Sequence, residues 1–115
     1  MYQYKLRAYR AYYAKFIKKL SLDECAVLRE DLLLLKERER CPQHYTKYLT
    51  GGVYEFRVSY RRNEFRVFFI YDGDEVILLN GFKKKTQKLP TKEIRKAIKL
   101  KEAYYAEKKR RAVAL

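Results

Sequence analysis

A run of lysines lies in a short segment that could bind a polyanion. The segment reads Gly-Phe-Lys-Lys-Lys-Thr-Gln-Lys-Leu-Pro over residues 81–90, after an apolar run that begins at Val76. Thr91 follows it and can cap a helix, so the segment is predicted to join a buried strand to a helix. The side chains that can bind phosphate oxygens are those of Lys83, Lys84, Lys85, Thr86 and Lys88. A solvated loop whose charges only aid solubility is the alternative interpretation.

Two arginines come together if the strands around them form a hairpin. A turn through Arg61 and Arg62 would place Arg57 directly opposite Arg66. Two like charges opposite each other on one sheet face are unfavourable unless something neutralises them. Either the arginines flank a bound phosphate, or they are neutralised by two carboxylates predicted on the same face, those of Glu55 and Glu64.

The register of the next hairpin would bring the arginines close to the lysines. If the chain turns at residues 73–74, Arg66 lies opposite Gly81, and Lys83 follows on the same side. Arginine suits bidentate contacts with phosphate, and lysine can stabilise a developing oxyanion. The spacing therefore predicts one phosphate site at one end of the sheet, with Lys83 at its margin. Its main residues are Arg57, Arg66, Lys84 and Lys85.

Such a site could cleave RNA without a metal ion. A ribose 2′-hydroxyl would attack the adjacent phosphate, a side chain would take its proton, and cations would stabilise the crowded phosphorane. The mechanism needs a base, a phosphate clamp and an acid for the leaving oxygen. Lys84, Lys85 and a tyrosine such as Tyr60 or Tyr105 are all candidates for moving the protons.

The composition describes a basic protein with one domain. The chain has 115 residues, which is enough for one modest core. Its 28 basic and 14 acidic residues give a formal net charge of +14, which suits a polyanionic partner such as nucleic acid or an acidic protein. No apolar run approaches the ~20 residues of a transmembrane helix. With no signal peptide evident, we expect a cytoplasmic location and no membrane partner.

Metal and cofactor sites are not expected. The cysteines are Cys25 and Cys41, and the one histidine is His44. A structural zinc site normally needs four nitrogen or sulfur ligands, which this set does not supply. Cys25 is interpreted as a small core residue on a helix. The predicted activity therefore uses neither a metal nor a cofactor.

The periodicity of the apolar residues predicts the element order β-α-α-β-β-β-α. A first strand over residues 2–9 precedes two helices, the second of which is capped by Ser21 with Glu24 completing a capping box. Residues 41–52 are interpreted as a connection. Three strands over 54–60, 65–71 and 76–82 and a helix from Thr91 complete the chain. This order predicts one α+β domain over residues 1–115, with helices packed on a mostly antiparallel sheet and a frayed basic tail over about 108–115.

Three segments, taken in order, resemble one protein family. They read Tyr-Glu-Phe-Arg-Val at 54–58, Phe-Arg-Val-Phe-Phe at 65–69, and an apolar run ending in Gly-Phe-Lys-Lys-Lys-Thr-Gln-Lys at 76–88. The family is the RelE/ParE-like toxins of bacterial toxin–antitoxin systems, and the last segment is similar to its HigB-like branch. The resemblance is strong over the second half of the chain and looser over the first. It implies the compact microbial-RNase-like fold of that family.

The resemblance also implies a function: the toxin of a type II toxin–antitoxin pair, cleaving mRNA in the ribosomal decoding site. Some HigB-like members use active-site histidines, but no histidine follows the last strand here, so the base and the acid stay unassigned. The implied catalytic residues are Arg57, Arg66, Lys84 and Lys85. The implied RNA-binding residues are Lys47, Arg61, Arg62, Lys83, Thr86 and Lys88.

The implied partners are the ribosome, mRNA and a cognate antitoxin, often a helix-turn-helix protein. Two other functions stay open: a non-catalytic inhibitor of DNA gyrase, as in ParE-like relatives, and a basic nucleic-acid-binding module without toxicity. The clustered cations favour RNA cleavage, because a gyrase inhibitor does not need a phosphate clamp.

Overall fold

The fold is a five-stranded sheet with helices on both faces. The computed structural model describes residues 3–37, 45–85 and 90–114. The strand order is β1-β5-β4-β3-β2, with β1 and β5 parallel and the other neighbours antiparallel. The strands are β1 (Lys5–Ala8), β2 (Thr46–Thr50), β3 (Val53–Tyr60), β4 (Asn63–Asp72) and β5 (Glu75–Lys84). The helices are α1 (Tyr12–Ile17), α2 (Leu22–Leu32), a short 3-10 helix (Leu33–Lys36) and α3 (Thr91–Ala114). The predicted α+β class is confirmed.

Alternation along the central strands divides the core into two halves. Phe65 and Val67 of β4 pack with Leu28 of α2 on one face of the sheet. On the other face, Phe68 packs with Leu100 of α3. All five side chains are buried, as expected for a sheet covered on both faces.

The start of α2 agrees with the predicted capping box. The Ser21 hydroxyl accepts a hydrogen bond from the Glu24 backbone N–H at 3.1 Å, and the Glu24 carboxylate accepts one from the Ser21 N–H at 2.9 Å. Cys25 is half-buried on this helix, and its thiol donates to the carbonyl of Ile17. Cys41 and His44 lie outside the described residues.

The predicted element order omitted one strand. Residues 46–50 form β2, at the edge of the sheet, where a connection was expected. Gly51 and Gly52 make the turn from β2 to β3 with positive φ angles of 55° and 85°. Glycine adopts such angles without steric cost, so the Gly-Gly pair is a hairpin signal. The observed order is therefore β-α-α-β-β-β-β-α.

A β-bulge in β5 changes which side chains share a face. Two residues, Leu79 and Asn80, lie opposite Phe68 alone, so the register shifts by one position toward the end of the strand. Arg66 consequently lies opposite Phe82, and the expected pairing of Arg66 with Gly81 is wrong. A shift of one residue exchanges the two faces of a strand.

The basic end of the chain continues α3 where a frayed tail was expected. The helix extends to Ala114. One turn beyond Tyr104, the Lys108 ammonium donates to both carboxylate oxygens of Asp72, at 2.7 and 2.8 Å. This contact attaches the helix to the end of β4 and accounts for the difference. Among the described residues, no helix combines the length and the apolar character needed to cross a membrane.

Gly81 allows α1 to pack closely on the sheet. A Cβ atom at this position would lie 2.5 Å from a ring carbon of Phe16, well inside van der Waals contact. Only a residue without a side chain lets the Phe16 ring pack this closely on β5. The glycine of the Gly-Phe-Lys-Lys-Lys motif therefore has a packing role, and it fixes α1 next to the lysines.

Candidate active site

Several residues of the predicted phosphate site share the face of the sheet that also carries α3. Three cross-strand rows build it, because residues directly opposite each other share a face. Arg57, Arg66 and Phe82 form the middle row. Lys47 pairs with Glu55 on one side of it, and Glu64 pairs with Lys84 on the other. The name arginine face is used below for Lys47, Glu55, Arg57, Glu64, Arg66 and Lys84.

A buried carboxylate lies between the two arginines. Glu55 is only 1% exposed, and its Oε1 is 2.8 Å from Nε of Arg57 and 3.4 Å from Nε of Arg66. Its other oxygen, Oε2, has no hydrogen-bond partner among the described residues. Two like charges directly opposite each other are thus neutralised by one shared anion, which is the second of the two interpretations given for this pair.

The two arginines differ in their access to solvent. The Arg66 side chain is 8% exposed and also lies 3.4 Å from the Glu64 carboxylate, so it is enclosed by protein groups. The Arg57 side chain is 38% exposed. A ligand approaching the sheet would therefore contact Arg57 directly, while the positive charge of Arg66 would lie beneath the surface.

The arginine face carries an excess of positive charge. Lys47, Arg57, Arg66 and Lys84 provide four cations against the two carboxylates of Glu55 and Glu64. The first turn of α3 meets β5 at Asn80, whose amide donates to the carbonyl and the carboxylate of Glu93. Glu55 holds Arg57 by its Nε, and 38% of the Arg57 side chain is exposed, so its terminal guanidinium nitrogens can donate to a phosphate.

The profile of a known family matches most of the chain. The family, described as Phage derived protein Gp49-like (DUF891), matches residues 15–102, from α1 to the middle of α3. The chain belongs to the Gp49-like family. This is a family of RelE-like toxins, and membership points to the toxin of a toxin–antitoxin system with a cognate antitoxin as partner.

Two further comparisons of this Gp49-like chain concern solved structures and curated proteins. It is similar to the solution structure of the conserved hypothetical protein HP0894 from Helicobacter pylori. The two are 23% identical with a TM-score of 0.47, over 70% of this chain and 93% of that chain. Comparison with curated proteins gives no match.

Lys83 lies on the opposite face from the arginines of the Gp49-like chain. The bulge in β5 turns it toward α2, where its ammonium is 3.6 Å from the Glu24 carboxylate and lies over the ring of Phe65. Its expected position on the side of Arg66 is therefore wrong, and Lys84 takes that place.

The remaining predicted site residues lie in the turn between β3 and β4, directly after β5, or outside the described residues. Arg61 and Arg62 form the exposed turn between β3 and β4, with Arg61 at a φ of 57° and its guanidinium over the ring of Tyr60. Lys85, which was predicted to be catalytic, is exposed just after β5. Thr86 and Lys88 lie outside the described residues.

Two acidic residues contribute more to the site than their sequence positions suggested. Glu55 and Glu64 were considered only as neutralising partners. The structure shows Glu55 positioning both arginines and leaves Glu64, with 48% of its side chain exposed, beside Arg66 and Lys84. The usable signal was the spacing Glu-x-Arg in both strands, which repeats an acidic and a basic residue on one sheet face.

Proposed function

We propose that this Gp49-like protein is a ribosome-dependent mRNA endonuclease of the HigB-like branch, acting in the cytoplasm. The observation that carries the proposal is the arrangement around Glu55, which contacts both the exposed Arg57 and the enclosed Arg66 within a cation-rich face. A gyrase inhibitor or a general nucleic-acid-binding module does not need two arginines fixed by a buried anion.

The proposed reaction transfers the phosphate within the RNA strand. The ribose 2′-oxygen forms a bond to the adjacent phosphorus, and the bond from phosphorus to the 5′-oxygen breaks. The products are a 2′,3′-cyclic phosphate and a free 5′-hydroxyl. Arg57 contacts the phosphate directly, and Arg66 adds positive charge beneath it. Preorganised cations of this kind stabilise the charge that develops on the phosphorane.

The row next to the arginines supplies the proton carriers in this proposal. Glu64 is the accessible carboxylate of the arginine face and takes the proton from the 2′-hydroxyl. Lys84, directly opposite it on β5, gives a proton to the leaving 5′-oxygen. In an in-line displacement the attacking and leaving oxygens lie on opposite sides of phosphorus, so the phosphate is proposed to lie between Glu64 and Lys84, with one oxygen near each. No metal ion has a role in these steps.

The proposed partners follow from the charge and the family. An mRNA in the ribosomal decoding site supplies the single strand that the arginine face contacts. The antitoxin is proposed to be a helix-turn-helix protein or one with an acidic segment that covers the cationic surface. Because such contacts are largely charge pairs, the complex with the antitoxin should weaken as salt increases.

Cleavage of mRNA on programmed ribosomes tests the proposal. Arg57→Ala should lower the single-turnover rate on the order of 100-fold, the typical loss for one transition-state donor. Arg57→Lys should recover only part of the rate, since lysine lacks the planar fork. Arg110→Ala, an exposed cation near the end of α3, is the matched control and should cleave normally.

Three outcomes would contradict the proposed function. Normal cleavage by Arg57→Ala would remove the phosphate clamp. A requirement for added divalent metal, beyond what the ribosome needs, would contradict the metal-free mechanism. Inhibition of gyrase supercoiling by a parent protein that leaves mRNA intact would favour the ParE-like alternative.

A further inference from the structure

A second cationic surface lies beside the arginine face. A cleft of about 780 Å³ opens between α1, the end of β5 and the first turns of α3. Its apolar wall includes the rings of Tyr12, Phe16 and Phe82. Six lysines that lie in these three elements or directly after them line it, namely Lys15, Lys18, Lys19, Lys83, Lys85 and Lys96. These residues and this space are called the lysine cleft below.

The charge of the lysine cleft is almost entirely positive. Glu93 is the carboxylate that lines it, and it already accepts a hydrogen bond from Asn80. The ammonium groups of Lys15 and Lys96 approach the ring of Tyr12 to 5.8 and 5.1 Å, one from α1 and one from α3. Cations from opposite walls thus converge on one place. Such an arrangement repels itself unless an anion lies between the walls.

Phe82 connects the lysine cleft to the arginine face. It pairs with Arg66 across β4 and β5, and it also lines the cleft. Neighbouring strands lie about 4.8 Å apart, so Arg57 on β3 and the cleft at β5 are separated by about 10 Å of sheet. The half-buried ring of Phe82 lies between two cationic surfaces, where a base could stack on it.

We infer that the lysine cleft binds the single-stranded RNA segment next to the phosphate that Arg57 contacts. Its lysines neutralise the flanking phosphates, and Phe82 supports the base between the two sites. This inference rests on the proposed function and extends it from one phosphate to a length of RNA. An acidic protein segment would also match the charge, but the aromatic ring shared by both surfaces favours a strand with alternating phosphates and bases.

Binding of a non-cleavable RNA tests the inference. The probe is a 2′-O-methyl oligouridylate, which lacks the attacking hydroxyl, in a short form that covers the arginine face and a longer form that also reaches the cleft. The cleft variant carries Lys15→Gln, Lys19→Gln and Lys96→Gln. The matched control removes the same charge elsewhere, with Lys99→Gln, Lys109→Gln and Arg110→Gln. Affinity is measured by fluorescence anisotropy over a range of salt concentrations.

The expected result separates the two variants. The parent and the control should bind the longer probe more tightly than the short one, and the cleft variant should lose this difference. Its slope of log affinity against log salt should fall by about 2, since each phosphate contact to a single strand contributes about 0.7. A version with arginine at the three cleft positions should restore the slope, which separates loss of charge from loss of fold.

Two results would overturn the inference. The cleft variant could keep the parent's affinity and salt slope for the longer probe. Alternatively, it could keep RNA binding but lose binding to the antitoxin or to ribosomes, which would assign the cleft to those partners. Because the probe cannot be cleaved, the comparison stands even if Arg57→Ala shows that the proposed cleavage mechanism is wrong.

Discussion

Two charged clusters lie at opposite ends of the sheet face that carries α3, and they differ in their balance of charge. At one end is an ionic cluster in which Asp72 and Glu75 face an equal number of cations from β1 and α3. The hydroxyl of Tyr104 accepts from Arg7 at 3.0 Å and donates to Asp72. The cluster consists of Arg7, Asp72, Glu75, Tyr104 and Lys108. At the other end lies the arginine face, with four cations and two carboxylates.

The difference shows how the same residue types serve two purposes. In the ionic cluster each charge has a partner of opposite sign, and the contacts attach α3 to the sheet. On the arginine face the cations outnumber the anions, and the best-buried group, Glu55, contacts arginines on two neighbouring strands. A surplus of positive charge around a buried carboxylate is therefore the mark of the candidate site.

The largest expected effect is a loss of stability when a buried ion pair of the arginine face is removed. Arg66→Ala should lower the free energy of unfolding by about 3–5 kcal/mol, because it removes one partner of the buried Glu55 carboxylate. The measurement is urea unfolding followed by circular dichroism. Arg57→Ala, whose side chain is more exposed, should cost clearly less.

A double variant sharpens that result. Glu55→Gln combined with Arg66→Ala should recover part of the lost stability, because no uncompensated buried charge is left behind. If Arg66→Ala is as stable as the parent, Arg66 is not enclosed as described, and its effect on cleavage can then be assigned to a direct contact with RNA.

The second effect tests whether the ionic cluster is structural. Tyr104→Phe removes a hydroxyl that bonds to two charged groups and should cost about 1.5–3 kcal/mol of unfolding free energy. Cleavage per folded molecule should not change. Burial and the hydrogen bond to Asp72 raise the pKa of Tyr104 to about 12. Stability should thus fall as pH increases from about 10 toward 12 in the parent but less in the variant.

A smaller effect concerns the stability of the protein at acidic pH. The hydrogen bond from Lys108, with that from Tyr104, holds the pKa of Asp72 below its ordinary value. A lowered folded pKa stabilises the protein above the unfolded value of about 3.9, and this contribution is lost as pH falls through the folded pKa. In melting experiments below about pH 4, Lys108→Met should flatten the fall in melting temperature.

The control for the acid experiment is Lys109→Met, which removes a neighbouring cation of α3 and should leave the pH dependence of melting unchanged. Equal slopes for the parent and for Lys108→Met would mean that the contact between Lys108 and Asp72 does not form in solution. The ionic cluster would then hold α3 through Tyr104 alone.

Much of the fold could be predicted from the sequence because its signals are local. The capping box at Ser21 and the alternation along β3 and β4 are properties of adjacent residues, and the structure agrees with both. β2 was missed because a five-residue edge strand buries little apolar surface and its sequence carries a weak alternation. The hairpin register at Arg57 and Arg66 was also predicted correctly, since a two-residue turn determines it.

The site was harder to predict because it depends on one non-local irregularity. The bulge at Leu79 and Asn80 exchanges the faces of the residues that follow, so Lys84 rather than Lys83 joins the arginines. No composition or periodicity marks such an insertion before the partner strand is known. Burial of Arg66 likewise depends on the contact with Glu55 on a neighbouring strand. The periodicity of the sequence does not predict how close that contact is or how much of Arg66 is buried.

The packing of Phe16 on Gly81 changes how the Gly-Phe-Lys-Lys-Lys motif should be used to compare proteins. The glycine is required by packing in the core, whereas the contacts of the lysines after it, such as the ion pair of Lys83 with Glu24, lie nearer the surface. Chains that keep the glycine but vary the lysines would still fold with α1 in place. In a collection of relatives, the glycine would therefore report ancestry, and the basic residues beside it would report which descendants have kept the proposed activity.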